Sequence, residues 1–141
     1  MANTASGGRV AVLVFNGETP QAMHERILEG FSFSVLTRFE KESQLPKDAI
    51  RAVMHLPDRT LARRKDAGRL TSEESERLYR LITLFRLAVG LFNGDRTAAT
   101  QWLQTPRPAL GGQTPLGLAQ TEVGAKQVET LIGQLEHGVI V

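Results

Sequence analysis

A chain of 141 residues, 41% of them apolar, can bury a core and fits one compact domain or two small ones. Its formal charge of +2 implies no nucleic-acid partner by its sum alone, and the absence of cysteine excludes a disulfide framework, a thiol nucleophile and thiolate zinc sites. The charge is unevenly spread: residues 1–29 carry two basic and three acidic side chains, residues 30–94 twelve and eight, and residues 95–141 three and four.

The first segment, MANTASGGRVAVLVFNGE, contains an apolar run at residues 10–15. It is too short for a signal-peptide core, and no stretch approaches the ~20 apolar residues of a membrane span. A soluble, cytoplasmic protein is expected. The run is β-branched and bounded by Gly7-Gly8 and Asn16-Gly17, which fits a lone strand or an extension lying on the surface.

Helical signals begin at Thr19, a cap followed by Pro20, with Met23, Ile27 and Leu28 marking an apolar face and Gly30 a stop. Phe33, Leu36 and Phe39 predict a second helix over residues 34–44. Pro46 opens a third, with Ile50, Val53 and Met54 inward. Pro57 opens a fourth, with Leu61 and Ala62 inward, and Gly68 ends it.

Thr71-Ser72-Glu73-Glu74 has the form of a capping box, and the helix it starts runs to about Phe92. After Leu78 that helix is apolar nearly all round, so it must be covered on several sides, by its own chain or by a second copy. It is expected to be the central strut, and to form part of a homodimer interface. Asp95 caps a helix over residues 96–104 carrying Ala98 and Trp102. A glycine-bearing loop follows, Thr114-Pro115 starts a short turn, and a last helix covers residues 122–137 with Val123, Val128, Leu131, Ile132 and Leu135 apolar. Gly138 closes it before Val139-Ile140-Val141.

The fold class is therefore all-α. Residues 47–66, KDAIRAVMHLPDRTLARRKD, fit a helix-turn-helix frame with Ile50, Met54, Leu56 and Leu61 at apolar positions. Three residues depart from that frame: Arg51 stands where alanine is usual, His55 where glycine is usual, and Arg64 where a second apolar residue is usual. Opposite Leu61 lie Arg59 and Arg63, flanked by Thr60 and Arg64. Such a face suits a major groove, with Lys65 and Arg69 extending a phosphate footprint. The same face also fits a merely solvated helix, because Asp58 and Asp66 bracket the arginines.

Enzyme chemistry has no comparable footing. His24, His55 and His137 are widely separated, and no nucleophile elbow, phosphate loop or zinc helix motif occurs. Glu73 and Glu74 are the acidic first turn of a helix. No catalytic residue, metal, cofactor or small-molecule substrate is expected.

The stretch FNGDRTAATQWLQTPRPALGGQTPLGLAQTEVGAKQVETLIGQLEHGV resembles the toxin-binding domain of the Xre/MbcA/ParS antitoxins. The resemblance rests on Phe92, Gly94, Ala98, Trp102, Leu103, Pro106, Leu110, Gly112, Pro115, Leu116, Gly124, Val128 and Gly138. The upstream RTLARRKDAGRLTSEESERLYRL is similar to that family's junction between its helix-turn-helix and long helix. The resemblance implies an N-terminal helix-turn-helix domain joined by a long helix to a small helical toxin-binding domain, with boundaries here at 1–18, 19–70 and 71–141. It further implies a bacterial type II antitoxin that covers the active site of a RES-family, NAD-degrading toxin. Operator binding and assembly as a homodimer or higher oligomer go with it.

Trp102 and Leu103 read as scaffold. The contact surface is expected on the outer face of the last helix and the tail: Gln127, Glu129, Gln134, Glu136, His137, Val139, Ile140 and Val141. Apolar residues at a terminus gain little unless something covers them, and acidic side chains suit a cationic phosphate-binding cleft. The tail could equally fold back on its own helix after Gly138. A dimeric helix-turn-helix regulator without a toxin partner is the alternative function, separable by whether a toxin complex forms.

Overall fold

In the computed structural model, residues 18–138 are described, as eight α-helices and one 3-10 turn. The proposed strand at residues 10–15 and the tail residues Val139, Ile140 and Val141 lie outside the described residues.

Helix α1 (Pro20–Glu29) starts where the Thr19 hydroxyl accepts the Ala22 amide and stops at Gly30, whose φ is +91°. Helix α2 (Phe33–Ser43) is capped by Ser32 and ends at Gln44 in the left-handed region. Helices α3 (Lys47–Val53) and α4 (Asp58–Ala67) each follow a proline at the N-cap, and Gly68 ends α4 with φ +76°. Helix α5 (Ser72–Leu91) opens on the full capping box. Helix α6 (Arg96–Leu103) is capped by Asp95, a 3-10 turn spans Pro108–Leu110, α7 is Pro115–Leu118, and α8 (Glu122–Glu136) is capped by Thr121.

The apolar circumference of α5 is covered by the same chain. Leu78, Leu81, Ile82, Leu84, Phe85, Ala88 and Val89 are buried, and Tyr79, Leu87, Leu91 and Phe92 are half-buried against the core. Of the two covers its pattern allows, the helix's own chain supplies the one seen here. Burial of each large side chain is worth about 1.5–3 kcal/mol, more than any single cap, so α5 is held by packing. One connected core runs from Met23 on α1 to Ile132 on α8, with Phe39 of α2 meeting Phe85 edge-to-face at 5.7 Å.

Polar ties join α6 to the end of α2. Arg96 of α6 donates to the carbonyl and the carboxylate of Glu42, both at 3.1 Å, and Thr100 donates to the Ser43 carbonyl at 3.0 Å. These bonds occupy carbonyls that the end of α2 would otherwise leave free.

Three inward assignments are corrected. Leu28 is 61% exposed and Val123 is 74% exposed, and Ala62 also faces solvent. Leu28 and Val123 each adjoin a truly buried neighbour, Ile27 and Gly124, and one step along a helix turns a side chain by 100°.

Candidate functional site

Two surfaces stand out. The first is α4, which buries none of its residues. It follows α3 through a turn at His55, whose φ of +56° explains why glycine is usual there. His55 takes up that conformation while its amide donates to Ala52 and the next amide donates to Arg51.

Arg59, Arg63 and Lys65 are exposed on α4, and Thr60 is half-buried. The other two basic residues expected on this surface are tied to the protein. The Arg64 Nε donates to both carboxylate oxygens of Glu74, at 2.8 and 3.0 Å, and only 22% of its side chain is exposed. Arg69 donates to the Gly30 carbonyl at 2.6 Å, and its backbone forms an antiparallel bridge with Ser32. Of the expected row, Arg59, Arg63 and Lys65 are exposed without such a tie, whereas Arg64 is half-buried on Glu74 and Arg69 is exposed but bonded to the Gly30 carbonyl.

Of the other departures, Arg51 lies 3.3 Å from the buried Glu40. The two misplaced arginines of the frame are therefore compensated by carboxylates on other helices.

Glu74 is the pivot of this region. It accepts from the Thr71 amide at 2.9 Å as well as from Arg64, while its own amide donates to the Thr71 hydroxyl at 3.1 Å. Beside it, the Ser75 hydroxyl donates to the Thr71 carbonyl and accepts the Phe31 amide. Burial alone raises the Glu74 pKa, but the hydrogen bond from Arg64, the Thr71 amide and the Arg64 charge together outweigh it. The carboxyl is held below its ordinary value of 4.5. The capping box was legible in the sequence; the second task of Glu74 was not. The signal that could have found it was the arginine in an apolar slot of α4, which demands a carboxylate nearby.

The second surface belongs to α5, α8 and the loop between α6 and α7. Trp102 and Leu103 are core, and the Arg107 guanidinium lies 5.0 Å over the indole while donating to the Trp102 carbonyl. Burial lowers the Arg107 pKa, though a guanidinium stays charged at neutral pH. The Arg107 carbonyl accepts from Leu110 and Gly112, and its amide donates to Gln113, which fixes the loop.

Between this loop, α5 and α8 runs a groove of about 1010 Å³. Gln127, Glu129 and Gln134 line it. Glu136 and His137 do not: a Cβ on Gly90 of α5 would come 3.8 Å from the Glu136 carboxylate, and the His137 ring lies 2.7 Å from the Gly133 carbonyl. The expected contact residues thus divide between the groove and the helix end. The groove also has a wall that sequence reasoning did not name, from Glu76, Tyr79, Arg80 and Thr83 of α5. Among the described residues, no helix is long and apolar enough to cross a membrane.

Comparison with known proteins places α4 and α8 in two matched domains. Residues 22–82 match the Antitoxin Xre-like helix-turn-helix domain, and residues 87–138 match the Antitoxin Xre/MbcA/ParS C-terminal toxin-binding domain. A protein from Yersinia enterocolitica named Antitoxin Xre is 42% identical over 116 residues, covering 82% of this chain and 78% of its own. Proteins of the same name from Photorhabdus laumondii and Pseudomonas putida are 35% and 32% identical, covering 79% and 82% of this chain and 76% and 72% of their own. With both halves matched in order on one continuous core, the chain belongs to the Xre antitoxin family, carrying a helix-turn-helix domain followed by the Xre/MbcA/ParS toxin-binding domain.

Proposed function

We propose that this chain neutralises a RES-family, NAD-degrading toxin by seating its C-terminal domain over the toxin's active-site entrance, and that it binds its own promoter through α4. The observation that carries the reading is the toxin-binding domain itself, matched over residues 87–138 and built around the buried Trp102. The contact set comprises Gln127, Glu129 and Gln134 in the groove, Glu136 and His137 at the end of α8, and the tail Val139, Ile140 and Val141. The protein works in the cytoplasm as a homodimer or higher oligomer, with the toxin as its partner. Co-expression with the RES-family toxin of the same operon tests this: growth and cellular NAD should be maintained only when the chain is present. Unrelieved NAD loss rejects the reading.

Removing residues 137–141 deletes the tail together with His137 and Gly138, both exposed. Inhibition of the toxin should fall about tenfold or more while thermal stability holds, since loss of a central contact typically costs over 1 kcal/mol. Undiminished inhibition would mean that the tail makes no contact.

For promoter binding, Arg63 is the residue to replace, because it is exposed, whereas Arg64 and Arg69 are tied to Glu74 and to the Gly30 carbonyl. Arg63→Ala should weaken operator binding by about 1–3 kcal/mol if it reads a base, or reduce the salt dependence by about one ion if it holds a phosphate. Titrations at several salt concentrations separate the two outcomes. Wild-type affinity and slope would remove α4 as the reader.

A further inference from the structure

The α5–α8 groove carries apolar surface and charge that the fold itself leaves unanswered. Val123, at its edge, is 74% exposed, and Tyr79 and Leu110 supply further apolar lining. Glu76 on α5 and Glu122 on α8 are exposed, and neither has an ion-pair partner among the described residues. The two cations of the lining are already engaged. Lys126 lies 3.8 Å from Glu129, and Arg80 donates to the carbonyls of Ala119 and Gln120 at the end of α7.

We infer that this groove seats a segment of the toxin that presents a basic side chain next to an apolar one, the basic group meeting Glu76 and Glu122 and the apolar one covering Val123. The inference rests on the proposed toxin-binding function and adds the α5 wall and the chemistry of the occupant. Complementarity of charge is what selects it. Nucleic acid would set phosphates against the free carboxylates. A two-fold contact of this face with a second copy would bring two acidic patches together, with the cations of each lining already engaged. A basic and apolar segment satisfies both features, and like-charge juxtaposition disfavours the others.

The test uses the full-length protein and the purified RES-family toxin of its operon. Glu76→Lys and Val123→Lys both alter exposed side chains, and Glu76 has no ion-pair partner among the described residues, so helical content and thermal midpoint should match the wild type. Each should weaken the toxin complex by about tenfold or more, and Glu76→Lys should also flatten the dependence of affinity on salt. Two variants that bind the toxin as tightly as the wild type overturn the groove while leaving the toxin-binding function standing. A change in self-association of the free protein, with toxin affinity unaltered, overturns it in favour of a second copy. Failure of the wild type to bind the toxin removes both the groove and the function on which it depends.

Discussion

Gly124→Ala should destabilise the packing of the C-terminal half while adding only one methyl group. Gly124 sits in the first turn of α8, where its amide donates to the Thr121 hydroxyl at 2.9 Å, and it is fully enclosed by the end of α7. A Cβ at this position would overlap the Leu118 carbonyl oxygen and lie 2.9 Å from its carbonyl carbon. The obstacle is backbone, which cannot rotate away as a side chain could, so α8 must withdraw from α7. Overpacking of this kind costs about 1–3 kcal/mol. For a chain of this size that lowers the thermal midpoint by roughly 3–10 °C. Because α8 also forms one wall of the groove, toxin inhibition should be lost at temperatures where the wild type is still active. Gly133→Ala is the control: it lies in the same helix, its Cβ would meet nothing within 4 Å, and alanine favours helix. Equal midpoints for Gly124→Ala and wild type would contradict the close approach.

The contrast between Gly124 and Val123 shows what the residue pattern could and could not convey. Caps and stops are local, so Thr19, Gly30, Gly68, Thr71 and Asp95 marked helix ends that the structure reproduces within a residue or so. Periodicity placed most of the core, since Ile50, Leu78, Phe85 and Val128 all recur at helical spacing. It failed at Leu28 and Val123 because an apolar residue next to the buried stripe looks the same in a sequence whether or not another helix lies over it. It could not say which body covers α5 for the same reason. Tertiary ion pairs were illegible in principle: Arg64 and Glu74 are ten positions apart on different helices, and Arg51 and Glu40 eleven. The groove depends on the meeting of α5 with α8, more than forty positions on, and so only its α8 residues were foreseen.

Glu74→Ala should be among the most destabilising single changes in the N-terminal half. Glu74 is 5% exposed and closes the capping box of α5 while receiving the Arg64 side chain of α4. Removing the carboxylate leaves Arg64 largely buried without its counter-ion and the Thr71 amide without its acceptor. Stranding one member of a buried pair costs about 3–5 kcal/mol, and the 22% exposure of Arg64 places the expected loss toward the lower end. Because α4 buries no residue of its own, the Arg64–Glu74 bond is a main constraint on its orientation, so operator affinity should fall even where the fold survives. A double change, Arg64→Leu with Glu74→Gln, discriminates between the two roles. Glutamine keeps the reach back to the Thr71 amide, and leucine fills the slot with the apolar residue usual at that position. Stability should then return to near the wild type, since replacing both partners of a buried pair by well-packed groups is often neutral. Acid provides an independent check. The folded-state pKa of Glu74 is depressed, so the stability it contributes is complete above the ordinary value of 4.5 and disappears as pH falls through and below that range. The double variant should lose this part of the acid sensitivity. If wild type and double variant lose stability identically between pH 6 and pH 3, Glu74 is not the group whose protonation releases α4.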